Sequence, residues 1–110
     1  MSFRIRFQGD VPHSRQVGAE CEGICAQLSA GFPEASSFEV SLGRTGVQFD
    51  VHVHVTGRHV SLAAKARQRV LGEALHAAFA RAERQLRKRH DKQIYVRRRE
   101  VQRQTGWIAQ

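Results

Sequence analysis

Five cations, Arg81, Arg84, Arg87, Lys88 and Lys92, fall within twelve residues whose only acids are Glu83 and Asp91. Guanidinium groups offer paired donors that match phosphate oxygens, and each phosphate neutralised by Arg or Lys releases condensed counterions. A solvated helix face ordinarily mixes its signs, so a one-signed run of this kind points to a polyanion. Arg97, Arg98, Arg99 and Arg103 prolong the run as an arm that could order on RNA. The same arginines also fit a nuclear localisation signal, a pattern too common to decide anything. Tyr95 and Trp107 suit base stacking and suit packing of the tail against a domain equally well.

Two other groups of residues could carry chemistry. His52 and His54 alternate with valines on the same side as Asp50, and His59 is expected on the next strand at a similar height. Three imidazoles attract transition metals, but no cysteine completes the set and the face is expected to be open to water, so no metal is assigned. As the pH falls these imidazoles would instead add positive charge. Cys21 and Cys25, four apart on an expected helix, read as small buried thiols in a reducing compartment rather than as a bridge. No serine elbow, phosphate-cradling glycine loop or divided pair of carboxylates is present. The remaining catalytic option, RNA processing by His59 or His90, has little to support it. The expectation is a non-enzyme without cofactor or small-molecule substrate.

The elements that must carry these residues follow from periodicity. Arg67 to Lys92 reads as one long helix with Leu71, Leu75, Ala78, Phe79, Ala82 and Leu86 on one stripe and the cations on the other side. Its start is poorly marked, with no capping residue before Val70 and with Gly72 in the first turns. Phe3, Ile5 and Phe7 alternate with Arg4 and Arg6 as a first strand that Gln8, Gly9 and Asp10 close. Ser14 is placed to cap a helix carrying Val17, Cys21, Ile24, Cys25 and Leu28, which Gly31, Phe32 and Pro33 end. Gly18 and Gly23 each weaken that helix by roughly 1 kcal/mol against alanine, so packing must hold it. Phe38, Val40 and Leu42 mark a second strand, and Gly43 to Gly46 a turn. In the third strand Val47, Phe49, Val51, Val53 and Val55 form one face. After Thr56, Gly57 and Arg58, a fourth strand points Val60, Leu62, Ala64 and Ala66 inward. The order is β-α-β-β-β-α, an α+β domain with both helices on one face of a four-stranded, largely antiparallel sheet, in the manner of double-stranded-RNA-binding domains.

Composition agrees with one domain and a polyanionic partner. The 110 residues are 41% hydrophobic, with a net charge of +8 and a pI near 11. Residues 1–57 carry a net charge of −2 and residues 58–110 one of +10, so the second half holds the whole excess. Residues 1–92 are assigned to the domain and 93–110 to a basic tail. No apolar run approaches the roughly 20 residues of a membrane span, and the first residues lack the apolar core of a signal peptide, so a cytoplasmic location is expected.

The element order, together with the segment Glu83-Arg84-Gln85-Leu86-Arg87-Lys88-Arg89-His90-Asp91-Lys92, resembles the ribosome hibernation-promoting factor and protein Y family, over about residues 3–92. Members often end the second helix with a run similar to L-x-R-Q-L-x-K-x-K-D-K. They differ from this chain in usually having an aspartate, an apolar residue and a tyrosine where Val70, Leu71 and Gly72 stand, and in a more basic first helix than Arg15 alone provides. The resemblance implies a short-form stress protein, without the C-terminal dimerisation domain of the long factors. Such a protein lies in the messenger and transfer RNA channel of the small ribosomal subunit and silences translation. At matched positions its contacts with ribosomal RNA would be Arg81, Arg84, Arg87, Lys88 and Lys92, and the basic track adds Arg97, Arg98 and Arg99. The expected partner is thus the small subunit and its rRNA, with a monomer off the ribosome and no membrane. A general module for structured or double-stranded RNA is the alternative that topology and charge equally permit.

Overall fold

The computed structural model describes residues 1–9 and 11–89. Strand β1 (Ser2–Phe7) is followed by helix α1 (Arg15–Gly31), and then by strands β2 (Ala35–Thr45), β3 (Gln48–Gly57) and β4 (Val60–Gln68). Helix α2 covers 71–89. The strands lie side by side in the order β1-β2-β3-β4. β1 and β2 are parallel and the two later pairings antiparallel, because α1 supplies the crossover that a parallel pair needs while short turns join the rest. This is the expected β-α-β-β-β-α architecture.

One sheet face is dry. Val51, Val53 and Val55 of β3 are fully buried, as are Val40 and Leu42 of β2, and Val60, Leu62, Ala64 and Ala66 continue the layer on β4. Cys21, Cys25 and Leu28 of α1, and Ala74, Leu75, Ala78, Phe79, Ala82 and Leu86 of α2, close over it in a single cluster. Both helices therefore cover the same face. Truncating a fully buried leucine such as Leu86 to alanine would cost about 2–5 kcal/mol, so the stripe fixes which way the rest of α2 points. Among the described residues, no polar or charged side chain is buried.

Helix α1 begins as the sequence indicates. Ser14 adopts an extended conformation and its Oγ accepts from the Val17 amide at 3.3 Å. Phe32 ends the helix, its amide donating to the Leu28 carbonyl at 2.8 Å. The Ser29 hydroxyl then ties the helix to the start of β2 by donating to the Ala35 carbonyl at 3.1 Å. Val11 joins the core, although nothing in its irregular surroundings marks it as apolar interior.

Three expectations need correction. Arg67 and Gln68 belong to β4 and not to the long helix, which starts at 71. Alanine, lysine, arginine and glutamine all favour helix, but the inward alternation continues through Ala66, and Arg67 sits opposite Asp50, where it forms an ion pair. Tertiary pairing overrides propensity here. Val47 lies in the β2–β3 turn and is 65% exposed, since β2 extends to Thr45 and leaves Gly46 and Val47 as a two-residue connection. A positive φ at Gly46 alone is the pattern of a turn with glycine at its first central position. His59 is in the β3–β4 turn with φ 63°, not on a strand. That turn comprises Arg58 and His59, and β3 runs on through Gly57. The expected tail at 93–110, with Tyr95, Arg97, Arg98, Arg99, Arg103 and Trp107, lies outside the described residues, as do Asp10, His90 and Lys92.

Gly57 is the glycine that the packing demands. A Cβ there would lie 1.9 Å from the Glu34 carbonyl oxygen, where the irregularity at the start of β2 brings its backbone against β3. Gly57→Ala is expected to lower unfolding free energy by roughly 1–3 kcal/mol through overpacking, read from denaturant midpoints. The thiols provide a second check. Burial pushes Cys21 up to about 11, with Glu20 adding to the effect. Burial likewise pushes Cys25 up to about 12, helped by Cys21 and Glu22. An unfolded thiol ionises near its ordinary 9.0 and the folded ones only well above it, so their contribution is whole below pH 9 and is lost as the pH rises through the folded values. Stability should decline above pH 9, and at pH 8 both thiols should resist iodoacetamide until denaturant is added.

Candidate nucleic-acid interface

The apolar stripe of α2 faces the sheet, so its remaining circumference presents Arg81, Arg84, Arg87 and Lys88 to solvent. A helix held along its length by buried side chains displays such cations at set positions, which lowers the ordering cost of meeting a rigid array of phosphates. Their environments differ. Arg81 donates through Nη1 to the backbone carbonyl of Lys65. One turn later Gln85 donates through Nε2 to the carbonyl of Ala63 at 3.3 Å. Both acceptors lie on β4, the last strand of the sheet, so α2 is clasped to that strand by polar side chains as well as by its stripe.

Arg87 is paired within the helix, its Nη2 lying 2.9 Å from Glu83 Oε1 in an i, i+4 arrangement. An exposed pair of this kind stabilises the helix by a few tenths of a kcal/mol, and it offsets part of the Arg87 charge. Arg84 and Lys88 are exposed and make no hydrogen bond or ion pair to any described residue. They are also four apart and so neighbours on one face. The structure therefore brings Arg81, Arg84, Arg87 and Lys88 together on one rigid helix, with Arg84 and Lys88 the least compensated. Arg89 is exposed at the end of the described helix, but it follows Leu86 by three residues and Ala82 by seven and so lies on the side of the stripe and not of the cationic face.

The histidines separate. His52 and His54 lie two apart on the open face of β3, whereas His59 is beyond Gly57 in the turn, three or more residues along the strand from His54. No group of three or more metal-type ligands occurs among the described residues. Asp50 is engaged elsewhere: Thr45 Oγ1 donates to its Oδ2 and Arg67 Nε to its Oδ1, both at 2.5 Å. These two hydrogen bonds, that of Thr45 first, hold its carboxyl below its ordinary value against the opposing effect of desolvation. Among the described helices, none is long and apolar enough to cross a membrane.

Comparison with known proteins bears on this arrangement. Residues 15–94 match the family model for sigma 54 modulation protein / S30EA ribosomal protein. The fold is similar to that of a ribosomal subunit interface protein from Coxiella burnetii, with a TM-score of 0.75 and 18% identity over 83% of this chain and 99% of the other. It is also similar to the N-terminal domain of Thermus thermophilus Protein Y, with a TM-score of 0.71 and 16% identity over 80% and 98%. A search among curated protein sequences finds no match.

The hydrogen bond of Arg81 gives it a structural share that Arg84 lacks. Arg81→Ala should lower unfolding free energy by about 0.5–1.5 kcal/mol, whereas Arg84→Ala should change it by less than about 0.5 kcal/mol. Equal losses in urea denaturation would contradict that distinction.

Proposed function

Because the chain belongs to the sigma 54 modulation protein / S30EA ribosomal protein family, we propose that it is a ribosome-associated hibernation factor. It inhibits translation by occupying the messenger and transfer RNA channel of the small subunit. The observation that carries this reading is the cationic face of α2, where Arg84 and Lys88 stand exposed and uncompensated among the described residues while the stripe behind them is locked into the core. The names of the two similar structures, a ribosomal subunit interface protein and Protein Y, support the same assignment. The protein acts in the cytoplasm as a monomer off the ribosome, by binding and not by catalysis.

Recognition is by position of phosphates. Folded ribosomal RNA holds its phosphates and 2′-hydroxyls in set places, and a rigid helix with cations one turn apart can match them without reading base edges. Arg81, Arg84, Arg87 and Lys88 supply the described part of this contact, and Lys92, Arg97, Arg98 and Arg99 continue it in sequence. A general module for double-stranded RNA would use the same charges, and competition separates the two. Generic duplex RNA should fail to displace the protein from small subunits at moderate salt.

Arg84→Glu combined with Lys88→Glu is expected to abolish co-sedimentation with purified small subunits while leaving the thermal unfolding midpoint nearly unchanged. If about five phosphates are engaged, log affinity should fall against log salt with a slope of about −3.5 to −4.5. Undiminished binding of the double variant would place the interface elsewhere, and a slope near zero would rule out a phosphate-based contact.

A further inference from the structure

The open face of the sheet is ordered by register into four rows. Ser2, Ser37, Thr56 and Ser61 give one row composed wholly of hydroxyls. Arg4, Glu39, His54 and Ala63 form the next, and Arg6, Ser41, His52 and Lys65 the one after. Gly43, Asp50 and Arg67 complete the face. Its two acids are each taken up by one cation: Arg6 Nε lies 3.3 Å from Glu39, and Arg67 Nε 2.5 Å from Asp50. Arg4 and Lys65 remain, both exposed and with side chains that contact no acid among the described residues. The face is thus net positive even before His52 and His54 are counted.

This face is continuous with the basic side of α2. Arg81 reaches the backbone of Lys65 itself, and Gln85 that of Ala63, so the helix cations and the outward side chain of Lys65 meet around β4. Beside the Lys65 row the surface sinks into a cleft of about 490 Å³ lined by Ser41, Arg44, Asp50, His52 and Arg67. The exposed large apolar side chains among the described residues, Met1, Val47 and Val70, all lie off these rows. A protein partner would ordinarily be anchored by aromatic or apolar side chains, and stacked bases by aromatic ones. Cations, imidazoles and hydroxyls without such anchors suit the sugar–phosphate backbone of RNA.

We propose that the RNA-binding surface turns around β4 onto the open sheet face, where Arg4 and Lys65 contact backbone phosphates of the RNA held by α2. The inference rests on the RNA-binding reading of α2 and adds a second side to it. The helix would then lie against one strand of a folded RNA while the sheet meets another, as an edge inserted between two phosphate tracks.

The test uses the full chain, purified small subunits and protein-free small-subunit rRNA, with affinity measured as a function of salt. Arg4→Gln with Lys65→Gln should weaken binding to both by roughly tenfold and make the log–log salt slope shallower by about 1.4–1.8, the share of two phosphates. Arg4→Lys with Lys65→Arg keeps the charge and should retain the wild-type slope. Wild-type affinity and slope in the glutamine variant, beside loss of binding in Arg84→Glu with Lys88→Glu, would overturn the sheet contact and leave the helix contact standing. The converse pattern would overturn the helix contact, and with it the two-sided surface, leaving a contact through the sheet alone. Weakened binding to subunits with undiminished binding to protein-free rRNA would assign the face to a ribosomal protein and also overturn the proposal.

Discussion

Everything in this fold depends on the burial of one face of a four-stranded sheet. Val51, Val53 and Val55 at its centre are fully excluded from water, and the alternation that hides them sends Asp50, His52 and His54 to the other side. A shift of one residue in pairing would exchange the two sets, so the apolar ladder fixes the register of the polar face as firmly as that of the core. The two helices exist to cover this ladder. Gly18 and Gly23 leave α1 a poor helix by itself, yet Cys21, Cys25 and Leu28 are buried at the right spacing, and packing supplies what propensity withholds.

That constraint also divides labour between core and surface. Among the described residues no polar or charged side chain is interior, so their charges all lie at the surface. The outside is strongly biased, with a net charge of +10 in residues 58–110 against −2 in residues 1–57. Yet the division by sequence is not a division in space. Arg4 and Arg6 from the acidic first half and Lys65 and Arg67 from the basic second half share one sheet face, and local pairing with Glu39 and Asp50 decides which of them keep their charge available.

Much of this was legible in the sequence because both periods are clean. Alternation in Val51 to Val55 and in Val60 to Ala66, and the 3.6-residue stripe from Leu71 to Leu86, sufficed for the order and layers of the fold. The errors fell where two signals overlap. At Arg67 and Gln68 the residues favour helix while the cross-strand partner Asp50, which lies seventeen residues earlier, holds them in β4. At Val47 the alternation continued one step past the strand, because a valine in a turn looks like a valine in a sheet. His59 was misplaced for a related reason, since its left-handed φ is unusual for a non-glycine residue and carries no sequence signal. Of the candidate interface, the cations were readable as a group. The entanglement of Arg81 with the β4 backbone needed the structure, since it depends on which strand α2 lies beside, whereas the i, i+4 pair of Arg87 with Glu83 is local to the helix.

The clasp of Arg81 and Gln85 on β4 has a consequence for how the protein behaves at high concentration. An exposed strand edge is a template on which another chain can add itself, and repeated addition leads to aggregates. Here two outward carbonyls of such an edge are already occupied by side chains from α2. One of those side chains belongs to the cationic face, so a single arginine both lends charge to the surface and occupies a pairing group on the β4 edge. Arg81 is therefore held by two demands at once, whereas a change at Arg84 or Lys88 acts on RNA affinity alone.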